Sequence, residues 1–431
     1  MRASRMSERC ARGARATLGL AALSGLAALL SACGAVGGAA APEAPLWLHH
    51  PGSALGIAMR REITAESRKV GEDYERGRPE LDVAHRRIFV GSSDHGLYAL
   101  RADSAEILWR FETLGAVQCE PLYDPASDTV FFGSNDGALY RVRALDGKLL
   151  YRFMTNAEVA RRPVLRNGVL YVVNANDTLI ALDAATGVMR WHQHRTPAFG
   201  MEIAGYAGPA LGQDKVYTAF SDGNVMAYDL VDGSEQWPTV DLAAEAEQTG
   251  GEAPKYLDVD TTPIVHRIAS GEVVLVAGYA GGVFALDAQD GSRAWMNEKA
   301  IGVTELALWH QPAHRPRGGV GPEVPERTIL LAASGLTGLW AIAPEDGRTL
   351  WRRNLPEGGI SAPVPWAGAL LVTTTRYGIF LFSPTDGAVI DGIDTGGGIA
   401  MTPAVYGRRA FVLTNGGALL GLHVQTPTPG G

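Results

Sequence analysis

From about residue 79 to residue 424, apolar and polar positions alternate with a period of two, in short runs broken by Gly, Pro, Asp or Asn. That period marks half-buried β-strands, because successive side chains of a strand point to opposite faces. The segment Phe131-Phe132-Gly133-Ser134-Asn135-Asp136-Gly137-Ala138-Leu139-Tyr140-Arg141-Val142 shows the unit, two strands joined through Asp-Gly. Both turn residues of such a hairpin must accept positive φ, which Asp and Gly do at little cost. With Asp136 as origin, equivalent turn positions fall at Asp94, Asn176, Asp222, Ala280, Leu336, Arg376 and Gly416. Further turns follow, such as Asp183-Ala184-Ala185-Thr186-Gly187. An aromatic then stands fifteen residues from the origin, at Trp109, Tyr151, Trp191, Trp237, Trp295 and Trp351. Ahead of the hairpins lies another short strand, carrying Pro79, Pro121, Pro163, Pro209, Pro263, Pro363 and Pro403.

Four short antiparallel strands in a unit of roughly 40 residues, repeated eight times, predict an all-β chain folded as an eight-bladed β-propeller over residues 46–424, with a C-terminal tail at 425–431. A helical repeat is excluded by the period of two and by Gly or Pro every few residues. The recurring aromatics are expected to pack between neighbouring blades rather than to hold a ligand. The last unit lacks an outer-strand aromatic. Leu46–His50, with Trp47, is therefore expected to pair into the last blade as its outer strand and close the ring. The charged stretch Arg60–Arg78 is read as an exposed excursion. Two insertions, Ala243–Tyr256 and Gln311–Glu326, are read as surface loops and candidate contact surfaces.

The first 32 residues read differently. Arg2, Arg5, Arg9, Arg12 and Arg15 precede an apolar run from Ala16 to Leu30, the layout of a secretory signal peptide and shorter than the roughly 20 apolar residues of a membrane span. Leu30-Ser31-Ala32-Cys33 resembles the lipobox of exported lipoproteins, which implies a mature chain beginning at a lipidated Cys33. Gly34 follows it rather than Asp, so the expected destination is the outer membrane, facing the periplasm. Residues 33–45 are almost all Gly, Ala and Pro and are expected to form a flexible tether. The formal charge of −8 becomes −12 once the signal, at net +4, is removed. A mildly acidic protein is a poor candidate for binding nucleic acid.

The three cysteines are Cys10, Cys33 and Cys119, so no internal disulfide is expected, and Cys119 is read as a small buried apolar residue. There is no Gly-x-Ser-x-Gly elbow, no His-Glu-x-x-His and no phosphate-binding loop, and the adjacent pair His49-His50 would point to opposite faces of a strand. No catalytic residue, cofactor or metal is therefore assigned. On residues alone, Asp258-Val259-Asp260-Thr261 is a loop leading into an inner strand, its carboxylates solvated or capping backbone amides.

Ala181-Leu182-Asp183-Ala184-Ala185-Thr186-Gly187-Val188-Met189-Arg190-Trp191 resembles the blade signature of the quinoprotein-like propellers. That superfamily includes dehydrogenases that use pyrroloquinoline quinone and calcium, and the BamB family of the outer-membrane β-barrel assembly machinery. Asp258-Val259-Asp260-Thr261-Thr262-Pro263 is similar to a stretch of the BamB family, and Trp47, Gly52, Leu55 and Gly56 resemble its opening. The resemblance implies a non-catalytic lipoprotein scaffold that binds a periplasmic domain of BamA and assists assembly of outer-membrane β-barrels. It assigns contacts to Asp258, Asp260 and Thr261, and to Met201 and Ile203, where Met201-Glu202-Ile203-Ala204-Gly205 departs from the family by placing Ala204 at a basic position. A quinone dehydrogenase is the alternative, and would need an adjacent Cys pair that this sequence lacks. A third reading is an envelope propeller with another protein or polysaccharide partner.

Overall fold

The computed structural model describes residues 54–64, 74–197, 206–247, 258–279, 281–311, 313, 322–323, 325–355 and 358–425, all within one compact unit, Trp47–Gly431. They form eight four-stranded antiparallel sheets. Blade 1 is typical, with Glu80–Asp82 innermost, then Arg87–Ser92 and Gly96–Arg101, and Ile107–Glu112 outermost. The expected all-β, eight-bladed propeller is what the chain forms, and the seven turn positions among the described residues fall between the second and third strands of a blade.

The core is distributed rather than central. Eight apolar clusters each join the facing sides of two neighbouring blades, as where Phe89, Leu97 and Ala99 of blade 1 meet Val130, Phe132 and Tyr140 of blade 2. A two-faced blade must bury both faces, which explains why the middle strands are apolar at nearly every position.

The recurring aromatics, in the outer strand of five blades and just ahead of it in blade 4, latch these layers together. Trp109, Tyr151, Trp191, Trp237, Trp295 and Trp351 each donate their ring N–H or O–H to a carbonyl in the next blade's last turn, those of Ala144, Ala184, Leu230, Ala288, Pro344 and Pro384, at 2.9–3.4 Å. Each ring also lies against a glycine of that turn. A Cβ on Gly347, at φ +75°, would sit 2.4 Å from Cε3 of Trp295. The spacing Asp-x-x-x-Gly thus encodes a turn and a seat for the neighbour's indole at once.

The ring is closed by an N-terminal strand, as expected, but through Leu55–Glu62. This strand pairs antiparallel with Ala418–Val424, from Leu55 opposite Val424 to Glu62 opposite Ala418. Leu46–His50 and Trp47 lie outside the described residues. Arg60–Arg78 is correspondingly more than an exposed excursion. Arg60, Arg61 and Glu62 belong to the closing strand, and Tyr74–Arg78 re-enters the fold. There the Glu75 carboxylate, 1% exposed, accepts hydrogen bonds from the Ser93 amide and hydroxyl at 2.8 Å and from the Ser92 hydroxyl at 3.1 Å. Hydrophilic composition misleads here because a charged residue can be buried when enough donors surround it.

The first insertion is not all loop. It opens on a short helix, Leu242–Glu247, with Asp241 Oδ1 accepting the Ala243 and Ala244 amides at 2.9 and 3.1 Å as its N-cap, and with Leu242 packed into the layer between blades 4 and 5. The second insertion follows Val303–Gln311 and precedes Arg327–Ser334, two long inner strands of blade 6. The signal segment, Cys33 and the tether lie outside the described residues.

Candidate functional site

Because strand direction alternates within a blade, the connectors between blades and the hairpins between strands two and three emerge on one face of the ring. The other turns emerge on the opposite face. The connector face carries Asp258–Pro263 and the helix Leu242–Glu247 that opens the first insertion. It also carries the mouth of the central channel, a cavity of about 620 Å³ lined in part by Tyr74, Arg76, Glu158, Arg161, Tyr206, Glu305 and Arg376.

Arg161 organises this mouth. It precedes the inner strand of blade 3, and its Nη1 lies 3.1 Å from Oε1 of Glu305 in blade 6. Those blades are three steps apart in a ring of eight, so the ion pair spans the opening. Its Nη2 donates to the Asp260 carbonyl at 2.9 Å, and its Nε to the Tyr206 carbonyl. Deeper in the channel, Arg78 pairs with Glu120 at 2.9 Å and Arg162 with Glu80 at 2.9 Å. Burial pushes the Glu80 carboxyl up to about 7 against the opposing pull of Arg162.

Asp258 and Asp260 sit beneath this mouth, not on it, at 1% and 4% exposure. The surface placement implied by resemblance is therefore corrected for the side chains: the connector folds inward so that its backbone can brace blade 5. The Asp258 carbonyl accepts the Tyr279 amide at 3.2 Å. Thr261, fully buried, uses its hydroxyl to donate to the Ala277 carbonyl at 3.0 Å and to accept the Ala277 amide at 2.9 Å. Thr262 accepts the Gly208 amide at 2.9 Å, tying the connectors of blades 4 and 5. Burial, reinforced by the neighbouring Asp258 charge, raises the Asp260 carboxyl to about 7, against the opposing pull of Arg161. Its Oδ1 has no hydrogen-bond partner among the described residues. Met201 and Ile203 lie outside the described residues.

Sequence reasoning passed over Arg161, Glu305, Glu75 and Glu80. It passed over Arg78, Glu120 and Arg162 as well, although for these three a signal was present. Arg78, Glu120 and Arg162 each stand immediately before the proline of an inner strand, and that position faces the channel.

The family model described as outer membrane protein assembly factor BamB matches residues 125–311 and 338–427. The chain belongs to this family. Among curated relatives, BamB of Yersinia pestis is 29% identical over 143 residues, covering 33% of this chain and 34% of that protein. BamB of Moranella endobia is 26% identical over 224 residues, covering 46% of this chain and 55% of that protein. The chain thus spans about a third to about half the length of these BamB relatives. The dehydrogenase subunit of a quinone-dependent alcohol dehydrogenase from Gluconobacter oxydans is 32% identical over 143 residues, covering 31% of this chain and 18% of that protein. The crystal structure of BamB from Moraxella catarrhalis superposes with a TM-score of 0.65 at 17% identity, covering 86% of this chain and 99% of the other, and shares the fold.

The quinone-dependent relatives raise a cofactor that the residues at the channel mouth do not fit. The opening is spanned by the Arg161–Glu305 pair, and Cys119, the one cysteine among the described residues, is buried with its Sγ 3.1 Å from the carbonyl oxygens of both Glu120 and Arg161.

Proposed function

We propose that this protein is a non-catalytic, lipid-anchored scaffold of the outer membrane, held at Cys33 and facing the periplasm, that binds BamA and assists assembly of outer-membrane β-barrel proteins. The observation that carries the reading is the connector-face site, where the Asp258-Val259-Asp260-Thr261-Thr262-Pro263 stretch braces one rim of the channel mouth. Two segments suited to contact are the insertion that precedes Asp258 in the sequence and the stretch holding Met201 and Ile203, both outside the described residues for the most part. In this reading Asp258, Asp260 and Thr261 act by fixing the shape and charge of that rim. Met201 and Ile203 supply apolar anchors, the usual source of affinity at a protein interface.

The test is a mild-detergent pull-down from native envelopes with the tagged, lipidated chain, run beside Met201→Ser/Ile203→Ser and Asp258→Asn/Asp260→Asn variants whose folding is checked by circular dichroism. Recovery of BamA with the wild type and its loss from a folded variant supports the reading. Absence of BamA from the wild-type eluate, with another envelope protein or polysaccharide enriched instead, overturns it in favour of a different partner. The quinone dehydrogenase reading is tested by adding pyrroloquinoline quinone and calcium with an artificial electron acceptor, and alcohol oxidation there would overturn the non-catalytic assignment.

A further inference from the structure

The layer between blades 1 and 2 contains a closed charge cluster on the turn face. Arg87, in the second strand of blade 1, lies 2.6 Å through Nε from Oδ2 of Asp82 and pairs with Asp128 of blade 2. Tyr123 donates its hydroxyl to Asp128 at 3.1 Å and lies beside the guanidinium. The cation is fully compensated there.

The repeat places the same backbone positions in the layer between blades 8 and 1, with different residues. Tyr406 lies opposite Arg409 in the register as Asp82 lies opposite Arg87, so Arg409 takes the place of Arg87 and Tyr406 that of Asp82. Arg86 takes the place of Asp128. The two have φ of 56° and 48°, and their carbonyls accept the equivalent amides of Ala102 and Ala144 at 2.8 and 2.9 Å. Leu81 takes the place of Tyr123, one residue along the inner strand. Both counter-charges of the arginine are thus lost, and one is replaced by a second arginine. No latching aromatic seals this layer among the described residues, and a cavity of about 490 Å³ opens where Arg86, Arg409, Tyr406, Phe411, Leu81 and Ala102 meet. Of the carboxylates at its edge, Asp82 is bonded to Arg87, and Asp103 is bonded to Arg101 at 3.1 Å while also feeling the charge of Arg86. Neither Arg86 nor Arg409 has an ion-pair partner among the described residues.

We propose that this cavity is a binding site for a small dianion, a phosphate or phosphate monoester, held between Arg86 and Arg409. Two guanidiniums lining one cavity match the charge and the several acceptor oxygens of a phosphate. The apolar floor at Phe411 and the exposed Tyr406 ring leave room for the organic part of a monoester. An arginine in the left-handed region is a costly choice at a turn where blade 3 has Gly168, and the ligand gives that choice a purpose.

The test is calorimetric titration of the full chain in mild detergent at low salt with inorganic phosphate and with phenyl phosphate, and flotation with phosphatidic-acid vesicles. Saturable one-to-one binding is expected, weakened about tenfold or more in Arg409→Gln and in Arg86→Gly. Arg86→Gly fits the backbone, so its fold should be retained. Arg86→Asp restores the arrangement of the blade 1–2 layer, and should abolish binding while raising the Tm through a new pair with Arg409. Vesicle binding without soluble-phosphate binding, lost in Arg86→Asp, supports the site with a lipid headgroup as the source. Absence of binding to every probe, or binding that Arg86→Asp leaves intact, overturns the proposal.

Discussion

The backbone N–H of Leu55 donates to Oδ2 of Asp391 at 2.7 Å, joining residues 336 positions apart. Asp391 lies opposite Leu381, where Trp351 lies opposite Ala341 in the preceding blade, so it occupies the place of the latching aromatic. The neighbour of blade 7 is the closing strand, and a carboxylate holds the first amide of that strand where an indole would find no turn carbonyl. Asp391→Ala should lower stability by about 1–2 kcal/mol, as expected for a half-buried hydrogen bond to a charged group. Urea denaturation followed by tryptophan fluorescence reads this as a lower midpoint at constant m-value, and an unchanged midpoint would remove Asp391 from the closure.

The aromatic latches predict unequal costs at two glycines of nearly the same backbone conformation. Gly168, at φ +75°, faces open space, whereas a Cβ on Gly347 would strike Trp295. Gly168→Ala should cost about 1 kcal/mol from the left-handed backbone alone. Gly347→Ala should cost about 3 kcal/mol because the indole must also move. Equal losses in thermal denaturation would mean that the ring does not need that seat.

Asp260 makes stability depend on pH in a defined direction. Its folded value of about 7 lies above the ordinary aspartate value of 3.8, so between these values the native state holds a proton that the unfolded chain has released. The contribution is complete below about pH 4, falls as pH rises, and is gone above about pH 7. Glu80 acts in the same direction. Asp260→Asn should therefore be more stable than wild type at pH 8, on the order of 2 kcal/mol, with the difference closing toward pH 4. A variant that loses stability equally at both pH values would show Asp260 to be ionised and satisfied throughout.

Cys119 should be silent. Its side chain is fully buried, and burial pushes the thiol up to about 12. Native protein should leave it unmodified by iodoacetamide at pH 8, and urea-unfolded protein should react at once. Mass spectrometry of a digest distinguishes the two, and rapid native labelling would place the thiol at the surface.

Much of the blade architecture is local and could be read without the structure. The hairpin at Asp136, the turn ending at Gly187 and the aromatic fifteen residues from each origin are set by φ preferences and by side-chain alternation within one repeat. The same spacing, carried one blade further, lands on Asp391, and so marks where the latch changes its chemistry.

What the sequence by itself determined is therefore the strand period, the number of blades and the aromatics that lock blades 1 to 6 each to the next. Tertiary structure alone decided which N-terminal residues close the ring, that Asp258 and Asp260 turn inward, and that Arg161 meets Glu305 144 positions away. It also decided that Arg86 and Arg409 line one cavity, with no salt bridge to either among the described residues. These outcomes depend on charges and backbone groups brought together from distant blades, where burial removes water and leaves each group to whatever partner the ring supplies.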